Sequence, residues 1–352
     1  MKLVERLPII FLIGIIVTPL AVKQLRLYAA EKTIQDCGGQ IYCQGRIEAL
    51  ERLVEAQTSL KRFNFKDANL NGANLKDANL EDASLTDANL TDANLEGANL
   101  TDANLEGASL RDANLEGANL EDASLNRVDF TDANFKDANL EDANLESSIL
   151  IGANLKNANL KNAYLRGANL SKNYPFKEYP ASTNLTGANF SHANLIGARL
   201  TGANLTDANL TGANLMNADL RDAVFKGVNF THTNFTDADL TDVNLKNADL
   251  KAVNLTHAHL KGADLKDANL TGASLIDTTL IAVENLSPSQ IKSACYWEKA
   301  FYSGYWKKDS GHFGYYRDDD KKYIEKLKLD TASAPATPVD CSRWGPQFGN
   351  YY

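Results

Sequence analysis

The chain has 352 residues, with 45 acidic and 36 basic side chains and a formal net charge of −9 at pH 7. Proteins that bind nucleic acid non-specifically neutralise phosphates with a basic surface, so this balance argues against direct nucleic-acid binding. The acid is uneven, because residues 65–150 hold 19 acidic and 5 basic side chains, whereas residues 151–280 hold 11 and 12.

The chain opens with an apolar segment inside residues 1–30. Residues 7–22 carry no charge and would span about 24 Å as a helix, short of a hydrocarbon core of about 30 Å. Lys23 and Arg26 follow and can extend the segment by snorkelling. No small-x-small cleavage site follows it. These features favour an uncleaved, single-pass membrane anchor over a cleaved signal peptide or a buried helix.

The four cysteines lie outside the central part of the chain, at Cys37, Cys43, Cys295 and Cys341. Two precede residues 65–280 and two follow them, which predicts the disulfides Cys37–Cys43 and Cys295–Cys341. The alternative is four free thiols in a reducing compartment. A metal site is less favoured, because no histidine lies near either pair. The cysteines therefore favour an extracytoplasmic location for the chain that follows the anchor.

Residues 31–64 are interpreted as a linker followed by a helix. Residues 31–43 read as linker, and residues 44–60 return to a helical pattern. An apolar stripe at helical spacing supports the helix: Ile47, Leu50, Leu53 and Val54. We expect this helix to cap the repeat region that follows, since the ends of solenoids need covers, and a partner-binding helix is the alternative.

Residues 65–280 repeat with a period of five. Ala68, Asn69 and Leu70 show the unit, in which Leu or Phe recurs on almost every fifth position. On a helix this period scatters the Leu side chains around the cylinder, and on a flat strand it alternates them between faces. The chain must therefore turn by a fixed amount every five residues, with Ala and Leu pointing inward and Asn outward.

The unit resembles the repeat of the pentapeptide-repeat family. Residues 73–77, Ala-Asn-Leu-Lys-Asp, and residues 228–232, Val-Asn-Phe-Thr-His, show the match, and 42 central Leu or Phe residues follow the pattern. The resemblance implies an all-β solenoid, a right-handed quadrilateral β-helix with four repeats per coil, here with helical caps at both ends. It divides the chain into a first block at residues 65–170 and a second at residues 185–284.

An acidic column follows from four repeats per coil, because residues 20 apart then stack about 5 Å apart. One corner would collect seven acidic side chains: Asp82, Asp102, Asp122, Asp142, Glu81, Glu121 and Glu141. Like charges at this spacing repel, so we expect raised carboxylate pKa values or bound cations. The column is thus a candidate divalent-cation strip or a binding face for a basic partner. The alternative is that the Asp side chains cap the corner turns.

Residues 171–184 interrupt the pattern while keeping its five-residue phase. They read either as two degenerate repeats or as a ten-residue loop that leaves the rod. Three aromatic side chains, Tyr174, Phe176 and Tyr179, would form an exposed contact or pack locally on the rod. Loops tolerate such interruptions, so the sequence favours a structural loop.

Residues 285–352 form the C-terminal extension. Ser287, Pro288 and Gln290 predict a helix start with a capping box, continuing to about residue 300. Residues 285–292 and 297–299 are similar to the extension of many cyanobacterial pentapeptide-repeat proteins. The tail from residue 296 holds 14 of the 29 aromatic residues. We interpret it as a disulfide-pinned cap, with a short helix near residues 318–329, and an aromatic recognition module is the alternative.

The sequence contains no nucleophile elbow, phosphate loop, metal-ligand motif or paired acid and base. We therefore expect neither catalysis nor a cofactor. The favoured function is a membrane-tethered structural or protein–protein interaction scaffold, with an unknown protein partner. The alternative is implied by the resemblance, since some members of the family are acidic rods that mimic DNA and bind a type II topoisomerase.

Overall fold

The computed structural model describes residues 19–37, 40–171, 182–302, 306–309, 312–315 and 318–344. Outside the rod these form four helices and one hairpin: α1 (Pro19–Cys37), α2 (Arg46–Glu55), α3 (Pro288–Ser293), β1 (Trp306–Asp309), β2 (His312–Tyr315) and α4 (Asp318–Leu329). Most of the apolar segment at residues 7–22 lies outside these ranges. Among the helices within them, none combines the length and apolarity that a membrane span needs.

The repeat region forms the right-handed quadrilateral β-helix. Outward residues pair in parallel with the residue 20 positions later, as Asn74 does with Asn94 and Asn94 with Asn114. Backbone hydrogen bonds form these bridges, as Leu75 N donates to Asn94 O at 2.7 Å and Asn94 N donates to Ala73 O at 3.0 Å. Four five-residue sides therefore complete one coil.

Alternating Ala and Leu fill the interior of the rod. Ala83 and Leu85 are completely buried, as are their equivalents along both blocks. A buried Leu stabilises by roughly 2 kcal/mol, too little by itself to order five residues at about 1 kcal/mol or more each. Coils are therefore stable only when they are stacked, because each covers the apolar layer of its neighbour.

Every corner of the rod requires a left-handed residue. Asp82 has φ 57° and His192 has φ 59° at this position, where glycine also recurs. Asn, Asp and Gly adopt this conformation at the lowest cost, which explains their dominance there. The corners are closed by the preceding outward Asn, as Asn79 Oδ1 accepts a hydrogen bond from Glu81 N at 3.1 Å.

The secondary structure before the rod differs from the prediction, because part of the predicted linker is helical. Residues 31–37 continue α1, so the boundary after residue 30 and the first part of the linker at residues 31–43 were placed wrongly, whereas residues 40–43 are not helical. Ala30 and Ile34 lie one helical turn apart and are buried in the core at the rod end, and Cys37 is also buried. That apolar face keeps the segment helical.

The second helix is shorter than expected and the rod starts earlier. α2 spans ten residues, rather than residues 44–60, and packs Leu50 and Leu53 into the core. The first coil begins at Leu60, whose N donates to Asn79 O at 2.8 Å, five residues before the predicted start of the block.

The interruption changes the register of the ladder by ten residues. Ile149 pairs with Asn169, 20 positions later, whereas Asn154 pairs with Asn184, 30 positions later. Thr183 closes the gap, because its Oγ1 donates to Ser171 O at 3.0 Å. The ladder thus favours a ten-residue insertion over two degenerate repeats. The aromatic residues Tyr174, Phe176 and Tyr179 lie outside the described residues.

The C-terminal end completes the last coil with residues outside the repeat phase. Ser287 and Gln290 form the expected capping box, but α3 ends at Ser293 instead of continuing to residue 300. Ala294 is extended, with ψ 159°, so Cys295 can pair with Ser274. Further along, β1 pairs with β2 in an antiparallel hairpin that the sequence did not indicate.

Candidate functional site

The seven acidic residues of the predicted column lie at one corner of four consecutive coils, and we call them the acidic edge: Glu81, Asp82, Asp102, Glu121, Asp122, Glu141 and Asp142. Backbone hydrogen bonds join the successive layers, from Asp82 N to Thr101 O at 3.0 Å and from Asp122 N to Glu141 O at 3.1 Å. Stacked strands place these layers about 4.8 Å apart. The edge is therefore a row of carboxylates on a rigid backbone.

Basic side chains lie at both ends of the acidic edge. Lys61 Nζ lies 2.6 Å from Glu81 and 3.6 Å from Asp82, and Lys161 pairs with Glu141 at the other end. In the middle, Glu121 accepts a hydrogen bond from Asn139 Nδ2 at 3.3 Å. Four carboxylates of the edge have no ion pair among the described residues: Asp102, Glu121, Asp122 and Asp142. The carboxylates at the centre of the edge are therefore the negative charges that are available to a binding partner.

The expected rise in carboxylate pKa does not occur at Glu141. The hydrogen bond from Lys161, with a second from Asn159, lowers the pKa of this carboxyl. The same arrangement lowers the pKa of Glu116, which accepts from Lys136 and Asn134. Cationic donors from the next coil favour the ionised form more than the stacked acids oppose it.

Replacing Lys161 with glutamine is expected to raise the pKa of Glu141 toward its ordinary range, because the donor that favours the carboxylate is lost. The folded-state pKa is depressed, so the pair stabilises the fold above the ordinary carboxyl pKa and loses this effect as the pH falls through the folded value. Carbon-detected NMR titration of the Glu141 carboxyl measures the change. Lys156→Gln is the control, and an unchanged Glu141 pKa in Lys161→Gln would contradict the assignment.

Two further hypotheses for the column were turn capping by its Asp side chains and a divalent-cation strip. The Asp side chains do not close the corner turns, because the Asn at each outward position does so, as Asn119 does for Glu121 N at 3.3 Å. For the divalent-cation strip, no group of three or more His, Cys, Asp or Glu side chains suited to a metal ion occurs in the described part of the chain.

The four cysteines form two disulfides in the structure. Cys37 and Cys43 have their Cα atoms 5.6 Å apart and join α1 to the segment before α2. Cys295 and Cys341, with Cα atoms 5.7 Å apart, join the last coil to the tail. Trp344 Nε1 donates to Gly272 O at 2.9 Å beside this second link. The first disulfide thus lies within the N-terminal segment, and the second fastens the tail to the last coil of the rod.

Ion pairs along the rod axis are the feature that sequence reasoning missed. Lys76 Nζ lies 2.8 Å from Glu96, 20 residues later. His257 lies between two carboxylates of one corner, with Nδ1 3.2 Å from Asp237 and Nε2 3.7 Å from Asp277. The signal is a basic residue placed 20 positions from an acid, and the predicted column included acidic residues alone.

Family models for pentapeptide repeats match most of the rod. The model for pentapeptide repeats matches residues 138–172, 183–222, 218–256 and 248–283, and the model for a pentapeptide repeat region matches residues 58–135. A search of curated proteins finds no match.

Solved structures of pentapeptide-repeat proteins also resemble the chain. HetL, which is involved in heterocyst differentiation regulation in the cyanobacterium Nostoc sp. strain PCC 7120, is 32% identical over 64% of this chain and 95% of its own, with a TM-score of 0.34. A protein of the Arabidopsis thaliana thylakoid lumen is 29% identical over 37% and 69%, with a TM-score of 0.19. QnrB1, a plasmid-mediated fluoroquinolone resistance protein, is 21% identical over 53% and 80%, with a TM-score of 0.26.

Proposed function

The chain belongs to the pentapeptide-repeat family, and we propose that it is a non-catalytic, membrane-tethered scaffold that binds a basic protein along its acidic edge. Residues 7–22 supply the tether, and the rod presents the edge on the extracytoplasmic side. The observation that carries the proposal is the concentration of seven carboxylates at one corner of four coils.

The density of charge distinguishes this corner from the others. The corner that carries Asp92, Asp112 and Asp132 has the same residue type at the same turn position, but Arg111 lies within it. On the acidic edge the only bases are at its ends, next to Glu81 and Glu141. Complementary charge directs association and specificity, so the edge suits a basic surface better than any neighbouring corner does.

The second half of the rod argues against a DNA-mimicking role. A mimic of duplex DNA needs negative charge along the length of the rod, as phosphates supply it. Residues 151–280 hold 11 acidic and 12 basic side chains, so this half is nearly neutral. A short acidic site for a basic protein matches this distribution better than a binding surface for a type II topoisomerase, and a supercoiling assay with the full chain separates the two.

Removing three carboxylates from the acidic edge is expected to weaken partner capture. Asp102→Asn, Asp122→Asn and Asp142→Asn together remove three charges, and Asn tolerates the left-handed turn position that each Asp occupies. Exposed ion pairs contribute up to about 1 kcal/mol each, so the affinity should fall roughly tenfold or more. Cross-linking in membranes, followed by purification and quantitative mass spectrometry, measures the loss.

The matched control is Asp92→Asn, Asp112→Asn and Asp132→Asn, which removes the same charge at the same turn position on another corner. This variant should retain the partner. Equal loss from both variants would mean that net charge, rather than the acidic edge, governs binding, and no loss from either would contradict the proposed site.

A further inference from the structure

We propose that the N-terminal cap of the rod, which consists of α1, α2 and residues 40–45 between them, rests on the lipid bilayer surface, with Leu25, Tyr28, Ile41 and Tyr42 in the membrane interface. The inference builds on the proposed tether. It adds a lipid-binding surface on the folded cap and fixes which end of the rod faces the membrane.

Exposed apolar side chains concentrate on this cap. Leu25 is 50% exposed, Tyr28 64%, Ile41 57% and Tyr42 82%. They are half of the large apolar residues that are exposed in the described part of the chain, although the cap is a small part of it. Exposed apolar residues that are concentrated in one segment mark a candidate contact with a membrane or a protein.

The remaining exposed apolar residues do not form a second patch. Ile149 stacks with Asp129, and Tyr164 stacks with Asn144 on a different side of the rod. Val224 lies on a third side, and Leu329 belongs to α4. Single exposed apolar side chains of this kind are ordinary surface features. Within the described part of the chain, several exposed apolar residues therefore occur together in sequence only on the cap.

The two halves of α1 have different surroundings. Ala30 and Ile34 are buried against the rod, whereas the four consecutive residues at positions 23–26 are all exposed. The first turns of α1 are therefore not packed against the rod. They follow directly on the uncharged run at residues 7–22, so the apolar surface lies where the chain would leave a membrane.

The residues of the cap suit a lipid interface better than a protein partner or a second copy. Tyrosine places an apolar ring and a polar hydroxyl at the level of the headgroups, and Lys or Arg beside it can reach the phosphates. Lys23, Arg26 and Lys32 are exposed on the same helix as Tyr28. Aromatic and basic side chains of this kind are enriched where a chain meets the membrane–water interface.

The second pair of apolar residues is fixed to the rod. Ile41 O accepts a hydrogen bond from Asn69 N at 3.2 Å, which extends the ladder below the first coil. The Cys37–Cys43 disulfide closes the segment on its other side. Ile41 and Tyr42 are therefore presented by a constrained turn at the end of the rod.

This arrangement makes the rod a spacer. With about 4.8 Å between coils, the ladder from Leu60 to Leu280 is on the order of 50 Å long. The tail, including Trp344, would lie at this distance from the bilayer, and the acidic edge would lie between the two.

Tyr42→Trp tests the contact in the full chain reconstituted into vesicles that contain anionic and brominated lipids. The three native tryptophans all lie at or after residue 297, and the side chains of Trp297 and Trp344 pack at the distant end of the rod. Bromine quenches only at short range, so we expect loss of most of the emission that the introduced indole adds and little loss of the native emission. Tyr164→Trp, at a half-exposed position on the side of the rod, is the matched control and should stay unquenched.

The outcomes separate the contact from the tether. If the protein floats with the vesicles but the indole introduced at position 42 is not quenched, the tether stands and the seated cap is wrong. A blue shift of that indole without quenching, together with a dimeric mass, would assign the patch to a second copy and overturn the inference. If the protein does not float with the vesicles, the proposed tether is wrong, and the inference that builds on it is wrong as well.

Discussion

Replacing Phe230 with alanine is expected to destabilise the second half of the rod by about 3–5 kcal/mol. Phe230 is completely buried, and its ring lies 5.2 Å from that of Phe225 and 5.3 Å from that of Phe235, both edge to face. Three sides of one coil thus meet in an aromatic cluster. Alanine would leave a cavity that cannot close fully, because backbone hydrogen bonds to the preceding coil hold this side in place, from Leu210 N to Asn229 O at 2.8 Å and from Asn229 N to Ala208 O at 3.1 Å.

Phe230→Leu is the control for this prediction. Leucine is the usual residue at this position and occupies it in the coils on either side, at Leu210 and Leu250, so the change should cost less than about 1.5 kcal/mol. Denaturant unfolding followed by circular dichroism measures both variants, and hydrogen exchange locates the loss. A cost for Phe230→Ala within error of that for Phe230→Leu would show that the ring packing contributes little.

Coupling between coils decides how far the effect spreads. In solenoids each coil contacts only its neighbours, so a weakened layer lowers the stability of the array on both sides of it. Amides near Asn229 and Asn234 should therefore exchange faster, while those near Asn114 in the first block should change little. Uniform acceleration along the rod would instead indicate that the whole array unfolds as one unit.

The interior of the rod was predictable from sequence because each side repeats the same local solution. Ala83 and Leu85 share an inward direction through their two-residue spacing, and every coil repeats it. The Phe residues at positions 225, 230 and 235 were likewise expected inside. Local pattern and tertiary packing agree in the rod, so the five-residue pattern alone was sufficient to predict which side chains are buried.

The ends were less predictable because they form where the repeat phase stops. The helical extent of residues 31–37 depends on burial of Ile34 against a rod end that the local sequence does not show. Cys295 leaves α3 because its backbone completes the last coil beside Ser274. At such places tertiary contacts override local propensity.

The spacing of the acidic residues predicted the acidic edge, but it did not predict the direction of the pKa shift at Glu141. Stacking 20 residues apart correctly placed the carboxylates in one column. The direction of the pKa shift at Glu141 depends on Lys161 in the next coil, which bonds to it directly. The expectation was wrong because it considered acids within the column and omitted the bases at its ends.

Replacing Cys341 with serine is expected to destabilise the C-terminal end by about 4 kcal/mol on the chain-entropy model, because the disulfide to Cys295 closes a loop with a separation of 46 residues. Without it, the tail is held beside the last coil by weaker contacts, such as the hydrogen bond from Trp344 Nε1 to Gly272 O. Cys295 itself is buried and pairs with Ser274, so loss of the tail should also loosen the last coil.

Hydrogen exchange at Leu275, whose amide donates to Cys295 O at 3.0 Å, reports on that loosening directly. Cys43→Ser is the control, since the disulfide that it removes has a separation of only 6 residues and should contribute about 2 kcal/mol, at the opposite end. The two variants should therefore differ both in the size of the loss and in which end exchanges faster. If Cys341→Ser left the Leu275 amide as protected as in the native chain, the disulfide would not secure the last coil, and the tail would be a separate attachment rather than a cap.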